Sequence, residues 1–334
     1  MSDREEAASV AKSADRALPP RHALQGYIFI AAATLFWGIS ATLGRAAFTG
    51  HVFAGGFHPI DPLILAQSRT SISLVLLFPI LVIARRGVKR LGMPRRDLGI
   101  CLVLGVLGMA ASNYFYYLAI QKTSVATAII LQYTAPVWVL LYMVARHLQR
   151  ATPKRVASVL LAFCGSALAI GVLSPGTIRV NTVGVVAAQL AAVSFAFYNI
   201  FAAQVLQRYD RWRVLFWVLV AATGFWQFVN PFWKIAEAHY SSQQWTFMVI
   251  FAITSILIPF SFYFWGLQRL DATQAIVTSC LEPAFSIIIA AVFLGELLGP
   301  LQVAGIVVVL ISTVLVQLPD RKHKERSVVV EPIE

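Results

Sequence analysis

Charge is scarce in this chain. Asp, Glu, Lys and Arg make up 13% of its 334 residues, about half of what a soluble domain carries, while 58% are hydrophobic. A soluble core of this size cannot hide that much apolar surface and still show water a polar outside, so the excess must face lipid. Acidic residues are the scarcest, 15 against 27 basic ones, for a formal net charge of +12. On a soluble protein that balance points to nucleic acid. Here the basic residues fall in short segments between apolar runs, where cytoplasmic Lys and Arg are expected, so no nucleic-acid partner is read. The three cysteines, Cys101, Cys164 and Cys280, lie inside apolar runs with no disulfide or zinc spacing. The six histidines, His22, His51, His58, His147, His239 and His323, fall in loops, tails or span ends. With no phosphate-binding glycine loop and no His-x-x-x-His pair, a Walker-type ATPase is excluded within this chain. No enzymatic chemistry, cofactor or metal is expected.

What the sequence has in abundance is long apolar runs. A spanning helix needs about 20 mostly apolar residues, and ten segments meet that length. They are Leu24–Phe48, Pro62–Ala84, Leu98–Ala119, Ser124–Ala145, Arg155–Val172, Thr182–Val205, Val214–Asn230, Trp245–Leu267, Ala272–Leu294 and Pro300–Val316. The fold class is therefore all-α, a polytopic membrane protein of ten transmembrane helices. Residues 1–22 and 319–334 are polar and mixed in charge, and read as disordered tails. With the N-terminus inside, the outer loops receive only Lys122, Arg179 and Lys234. Arg45 and Arg69 lie within spans, and the other 22 basic residues fall on the cytoplasmic side. Such asymmetry orients a multi-pass protein and puts both termini in the cytoplasm, with the chain in the cell membrane.

Sliding the chain against itself by 147 residues reveals a repeat. Phe115-Tyr116 meets Phe262-Tyr263, Gln121 meets Gln268, Pro136 meets Pro283, Pro153 meets Pro300, and Val156-Ala157 meets Val303-Ala304. The first and sixth spans are related more weakly, Gly26 with Gly184. Two five-helix halves, 23–173 and 174–318, are expected, and an odd helix count makes the second enter the membrane from the opposite side. Inverted repeats of this kind are the usual architecture of secondary transporters, with substrate held near the midplane between them.

Leu281-Glu282-Pro283-Ala284-Phe285, followed by Phe293-Leu294-Gly295-Glu296 and Gln302-x-x-Gly305, resembles the C-terminal signature of the EamA-like branch of the drug/metabolite transporter superfamily. Gln132-Tyr133-Thr134-Ala135-Pro136 is similar to its first-half counterpart and Phe36-Trp37-Gly38 to its opening helix. Leu148-Gln149 departs from the pattern by standing at the place of the Gly-Glu pair. The resemblance, over 24–318, implies a ten-helix carrier, often an exporter of amino acids or related metabolites. The expected partners are a small-molecule solute and membrane lipid, with a proton as one candidate coupling ion. Oligomeric state is not legible.

The residues place the chemistry at midspan. Pro136 and Pro283 lie about 11–12 residues into their spans, roughly 17 Å deep at ~1.5 Å per residue. Each lacks an N–H and frees the carbonyl four residues earlier, on Gln132 and Ser279, which predicts paired kinks lining a cavity and hinging a gate. Glu282 is the one carboxylate near the midplane, where a charge costs about 2.5–3.5 kcal/mol, so it should face the bundle interior. Three readings stay open: recognition of a substrate amine, coupling through its own proton, or a neutral group bonded to a neighbouring helix. Arg45 and Arg69 read as snorkelling to headgroups or as an outer vestibule for a substrate carboxylate, and Glu296 as an interfacial anchor. Trp37, Asn113, Tyr117, Gln132, Tyr133, Tyr198, Asn199 and Ser279 complete the candidate substrate site, and suit an amphipathic organic solute. Gly108 with Ser112 and Gly165 with Ala169 are spaced for close helix approach.

Overall fold

The computed structural model describes residues 20–49, 58–84, 91–123, 125–173, 181–294 and 299–318. All secondary structure among them is helical. The elements are α1 (Pro20–Thr49), α2 (Pro62–Ala84), α3 (Arg95–Lys122), α4 (Val125–Gln132), α5 (Ala135–Ala145), α6 (Pro153–Ala169) and α7 (Thr182–Leu206). They continue with α8 (Arg211–Val229), α9 (Phe232–Glu237), α10 (Ser242–Leu267), α11 (Ala272–Ser279), α12 (Leu281–Leu294) and α13 (Pro300–Gln317). Nine helices among the described residues are long and apolar enough to cross a membrane, taking α4 with α5 and α11 with α12 as single crossings. The 17-residue α6 falls just short of their length.

Half of the expected spans begin a few residues before the apolar run, and in α6, α8 and α10 a polar side-chain cap starts them there. Asp210 accepts from the backbone N–H of Trp212 and Arg213, which draws the first turn of α8 back to Arg211. Ser241 with Gln244 and Asp271 with Gln274 form capping boxes on α10 and α11. The first helix starts at Pro20, so residues 20–22 are helical; residues 1–19 and 319–334, the remainder of the expected tails, lie outside the described residues. Several hydroxyls within spans are satisfied on their own helix: Ser40 on Phe36 O, Thr70 on Ala66 O and Thr313 on Val309 O. The outward faces are apolar, as in α13, where Val307, Leu310, Ile311 and Val314 are exposed. That is the surface lipid would cover.

Packing follows a pattern. The first helix packs on the C-terminal half of α10 and on α11 and α12, and α7 packs on the C-terminal half of α3 and on α4 and α5. Next to these, α8 lies on α2, and α6 lies along α13. The last pair is the tightest, because no side chain separates the backbones. A Cβ on Gly305 would meet Ala169 N and lie 2.7 Å from Gly165 O, and one on Gly165 would lie 2.8 Å from Val309 N. The expected small-residue approach at Gly165 is thus present, with α13 as its partner. Gly108 and Ser112 likewise face α7: Gly108 lies against Tyr198, and Ser112 Oγ donates to Ala191 O at 3.2 Å.

The expected proline kinks are short interruptions of the α-helix, displaced upstream, at which Thr134 and Cys280 keep right-handed helical dihedrals. The α-helix is interrupted at Tyr133-Thr134 and at Cys280, and Pro136 and Pro283 sit inside the first turn of the helices that follow. A proline has no N–H for the carbonyl four residues back, on Gln132 and Ser279, and its ring clashes there, so the interruption falls about one turn before the proline while Ala135 and Glu282 stay helical. Thr134 covers the first break by donating to Leu131 O at 2.7 Å, and Ser279 the second by donating to Ile276 O at 2.7 Å. Two π-helical segments, Leu104–Ala110 in α3 and Ile253–Leu257 in α10, overlap at the same 147-residue offset. The breaks share it too, Tyr133 answering to Cys280.

Candidate functional site

Both breaks lie midway along their crossings, and the residues beside them face other helices. Glu282, in the first turn of α12, is deep among the helices yet remains partly accessible. Its carboxyl is near the Tyr133 hydroxyl from the opposite break, and Arg69 on α2 lies within electrostatic reach of it. Tyr116, on α3, is close enough to feel both Arg69 and Glu282. The Arg69 guanidinium is fixed from two sides. Its Nη2 donates to Asn113 Oδ1, and its Cζ stands 5.9 Å from the centroid of the Phe251 ring. Asn113 is oriented in turn by donating to Met109 O at 2.7 Å. Five elements therefore converge on one polar group: α2 brings Arg69, α3 brings Asn113 and Tyr116, the first break brings Tyr133, α10 brings Phe251, and α12 brings Glu282.

A second polar group lies beside the second break. The Tyr263 hydroxyl donates to Asn199 Oδ1, and Ser279 is near that hydroxyl. Asn199 itself donates to Phe195 O at 2.8 Å. Trp37 packs against Phe260 and Tyr263 with ring centroids 5.3 and 5.1 Å apart. The repeat equates Tyr116 with Tyr263 but Ala135 with Glu282, so the hydroxyl is duplicated and the carboxylate is not.

Other candidates sit elsewhere. Tyr198 is 1% exposed and wedged between Gly108 and the rings of Phe260 and Phe264, which makes it core packing. Tyr117 is buried against Ala66 and Trp226. Gln132 is partly accessible at the end of α4. The Arg69 guanidinium turns to Asn113 and Phe251 on neighbouring helices. The Arg45 side chain and Glu296 lie outside what is described. Sequence reasoning missed Tyr263 as a site residue, and its signal was present, since Phe262-Tyr263 is the repeat partner of Phe115-Tyr116.

Apolar outer faces, a polar centre and, among the described residues, nine membrane-length helices define a multi-pass helical membrane protein. The EamA-like transporter family matches residues 24–171 and 182–318, and the chain belongs to that family, within the drug/metabolite transporter superfamily. It is a membrane transporter. It is 22% identical over 231 residues to the uncharacterized inner membrane transporter YicL of Salmonella typhimurium, covering 69% of this chain and 76% of that one. It is 25% identical over 224 residues to the threonine/homoserine exporter RhtA of Escherichia coli K12, covering 66% and 71%. The uncharacterized transporter YcbK of Bacillus subtilis is 23% identical over 219 residues, 64% and 70%. A crystal structure of a protein with 18% identity has the same fold, at a TM-score of 0.68 over 89% of this chain and 96% of that one.

Proposed function

We propose that this chain is a secondary carrier that exports a small amino acid-like or metabolite solute by alternating access around the two helix breaks. The observation that carries this reading is the pair of midspan breaks that bring Tyr133 and Glu282 together. An interrupted helical hydrogen-bond ladder at membrane depth is tolerated only where protein or a water-filled space receives the freed groups. Ten crossings, with α6 as the fifth, form two inverted five-helix repeats, 23–173 and 174–318, with both termini in the cytoplasm of a cell membrane. The exchange of partners supports this, α1 with the second half's helices and α7 with the first half's. So does a matched close contact, with Gly26 against Arg269 and Leu270 and Gly184 against the repeat-related Lys122 and Thr123. The solute class rests on the amphipathic lining and on the exporter of threonine and homoserine among the relatives.

One end of the bundle carries an ionic latch. Arg155 Nη2 lies 3.6 Å from Asp271 Oδ2, the buried Tyr27 hydroxyl is within electrostatic reach of both, and Thr273 donates to Gln149 Oε1 at 2.8 Å. These contacts join the two repeats on the side assigned to the cytoplasm. At the repeat-related positions stand Ser124 and Gln302, which cannot form an ion pair, so the latch is one-sided.

Alternating access is tested with an impermeant thiol reagent in a background lacking Cys101, Cys164 and Cys280. Gln132→Cys is expected to react from either face, Thr49→Cys and Gly176→Cys only from outside, and Lys89→Cys only from inside. Asp271→Asn keeps the helix cap but removes the pair. A partly exposed pair contributes up to about 1 kcal/mol, so cytoplasmic labelling at Gln132→Cys should rise by up to about fivefold. Labelling of that reporter from one face only, with or without the latch, would contradict alternating access.

A further inference from the structure

Arg69 and Glu282 are opposite in charge and within electrostatic reach, yet they are not among the ion pairs that the described residues close. Attraction between unit charges grows as their separation falls, and most steeply in a low dielectric, so a pair held open forfeits interaction that closing would recover. The opening is not slack. Asn113 and the Phe251 ring hold the guanidinium, and Asn113 is anchored on its own helix. Glu282 is held by its place in the first turn after a helix break, with the Tyr133 hydroxyl beside it. One donor of the guanidinium, Nε, is buried with no protein partner. Both charged groups retain accessible surface, although Glu282 lies deep among the helices.

Two opposite charges, brought by separate helices and not closed on one another, match a ligand that carries both charges in reverse. We infer that Arg69 and Glu282 are the two ends of one recognition site for a zwitterion, Arg69 taking its carboxylate and Glu282 its ammonium. This rests on the carrier reading above and deepens it, by assigning the charge-recognising atoms and requiring both charges on the same solute. Arg69 is then a specificity-determining residue. A guanidinium grips a carboxylate through two parallel N–H donors, which a lysine cannot reproduce. The site is one-sided, since the repeat places Ala135 where Glu282 stands.

The test uses the purified full chain and reads protection against thermal unfolding, which a ligand provides in proportion to its occupancy of the folded state. The probes are the protein L-amino acids, each beside its methyl ester and its N-acetyl derivative. In the wild-type chain a parent amino acid should bind roughly ten- to a hundredfold more tightly than either derivative, the ratio expected for one lost charge-assisted hydrogen bond. In Arg69→Gln the parent and its methyl ester should bind alike, and in Glu282→Gln the parent and its N-acetyl derivative should bind alike. Arg69→Lys should fall between Arg69→Gln and the wild type. The wild-type series needs no variant, so a misfolded mutant leaves the test intact. Equal binding of parent and ester by the wild-type chain would overturn the assignment, as would variants that keep the wild-type ranking. If no zwitterion binds while vesicles carrying the chain move amines or monocarboxylates, the assignment fails and the carrier reading stands. If no solute moves, the carrier reading fails with it.

Discussion

Glu282→Gln is expected to insert and fold normally and to lose accumulation driven by a proton gradient. Glutamine keeps the shape and hydrogen-bonding capacity of a neutral glutamic acid but cannot ionise. A carrier that exchanges solute for a proton must protonate and release one group facing each side in turn, and Glu282 is the carboxylate at the centre of the described helices. Two activities separate its roles. If Glu282 serves only to carry the proton, solute counterflow without a gradient persists while accumulation is abolished. If it also holds the substrate ammonium, counterflow falls as well, because a lost charge-assisted hydrogen bond costs about 1.5–3 kcal/mol, roughly ten- to a hundredfold in affinity. Wild-type rates in both assays would remove Glu282 from the mechanism and leave it beside Tyr133 as packing.

Gly305→Val is expected to be the most damaging single change to folding. Its first added carbon would meet Ala169 N and lie 2.7 Å from Gly165 O, and both are backbone atoms that cannot rotate aside. Overpacking in a tight contact costs about 1–3 kcal/mol and more where the neighbours cannot give, so the α6–α13 pair should separate and the melting temperature should fall sharply. Val307→Ala is the control. That residue is 48% exposed on the outward face of α13, and its truncation should change stability by no more than about 0.5 kcal/mol. Similar melting curves for the two variants would mean that α6 and α13 do not meet at Gly305.

Nine of the ten expected crossings recur among the described residues, legible because lipid demands one thing of a span, an apolar run of sufficient length, and composition states it directly. Their ends were less so. The residues Arg95–Asp97 and Arg211–Arg213 carry charge and read as loop, yet they begin helices α3 and α8. The prolines announced a disturbance at midspan but not its position, since the cost falls on the residues before the ring. Glu282 stood out because a carboxylate in an apolar run has few places to go. Arg69 could not be placed from α2 alone: whether it turns to headgroups or inward depends on Asn113, a residue on another helix. Tyr117 and Tyr198 show the limit of residue type, since a tyrosine suits a binding site and a buried aromatic contact equally well. Tyr263 was recoverable through its repeat partner, which shows that the internal repeat carries site information beyond topology.

The central claim is that solute crosses by binding to a site presented to each side in turn. Counterflow in proteoliposomes tests it most directly: vesicles holding the purified chain and loaded with one unlabelled L-amino acid at a time are diluted into trace label of the same compound. For at least one amino acid, label should enter transiently above equilibrium, saturate with external concentration, and vanish when the vesicles hold no unlabelled solute. Uptake that never overshoots and rises in proportion to concentration would identify an open pathway and contradict a carrier.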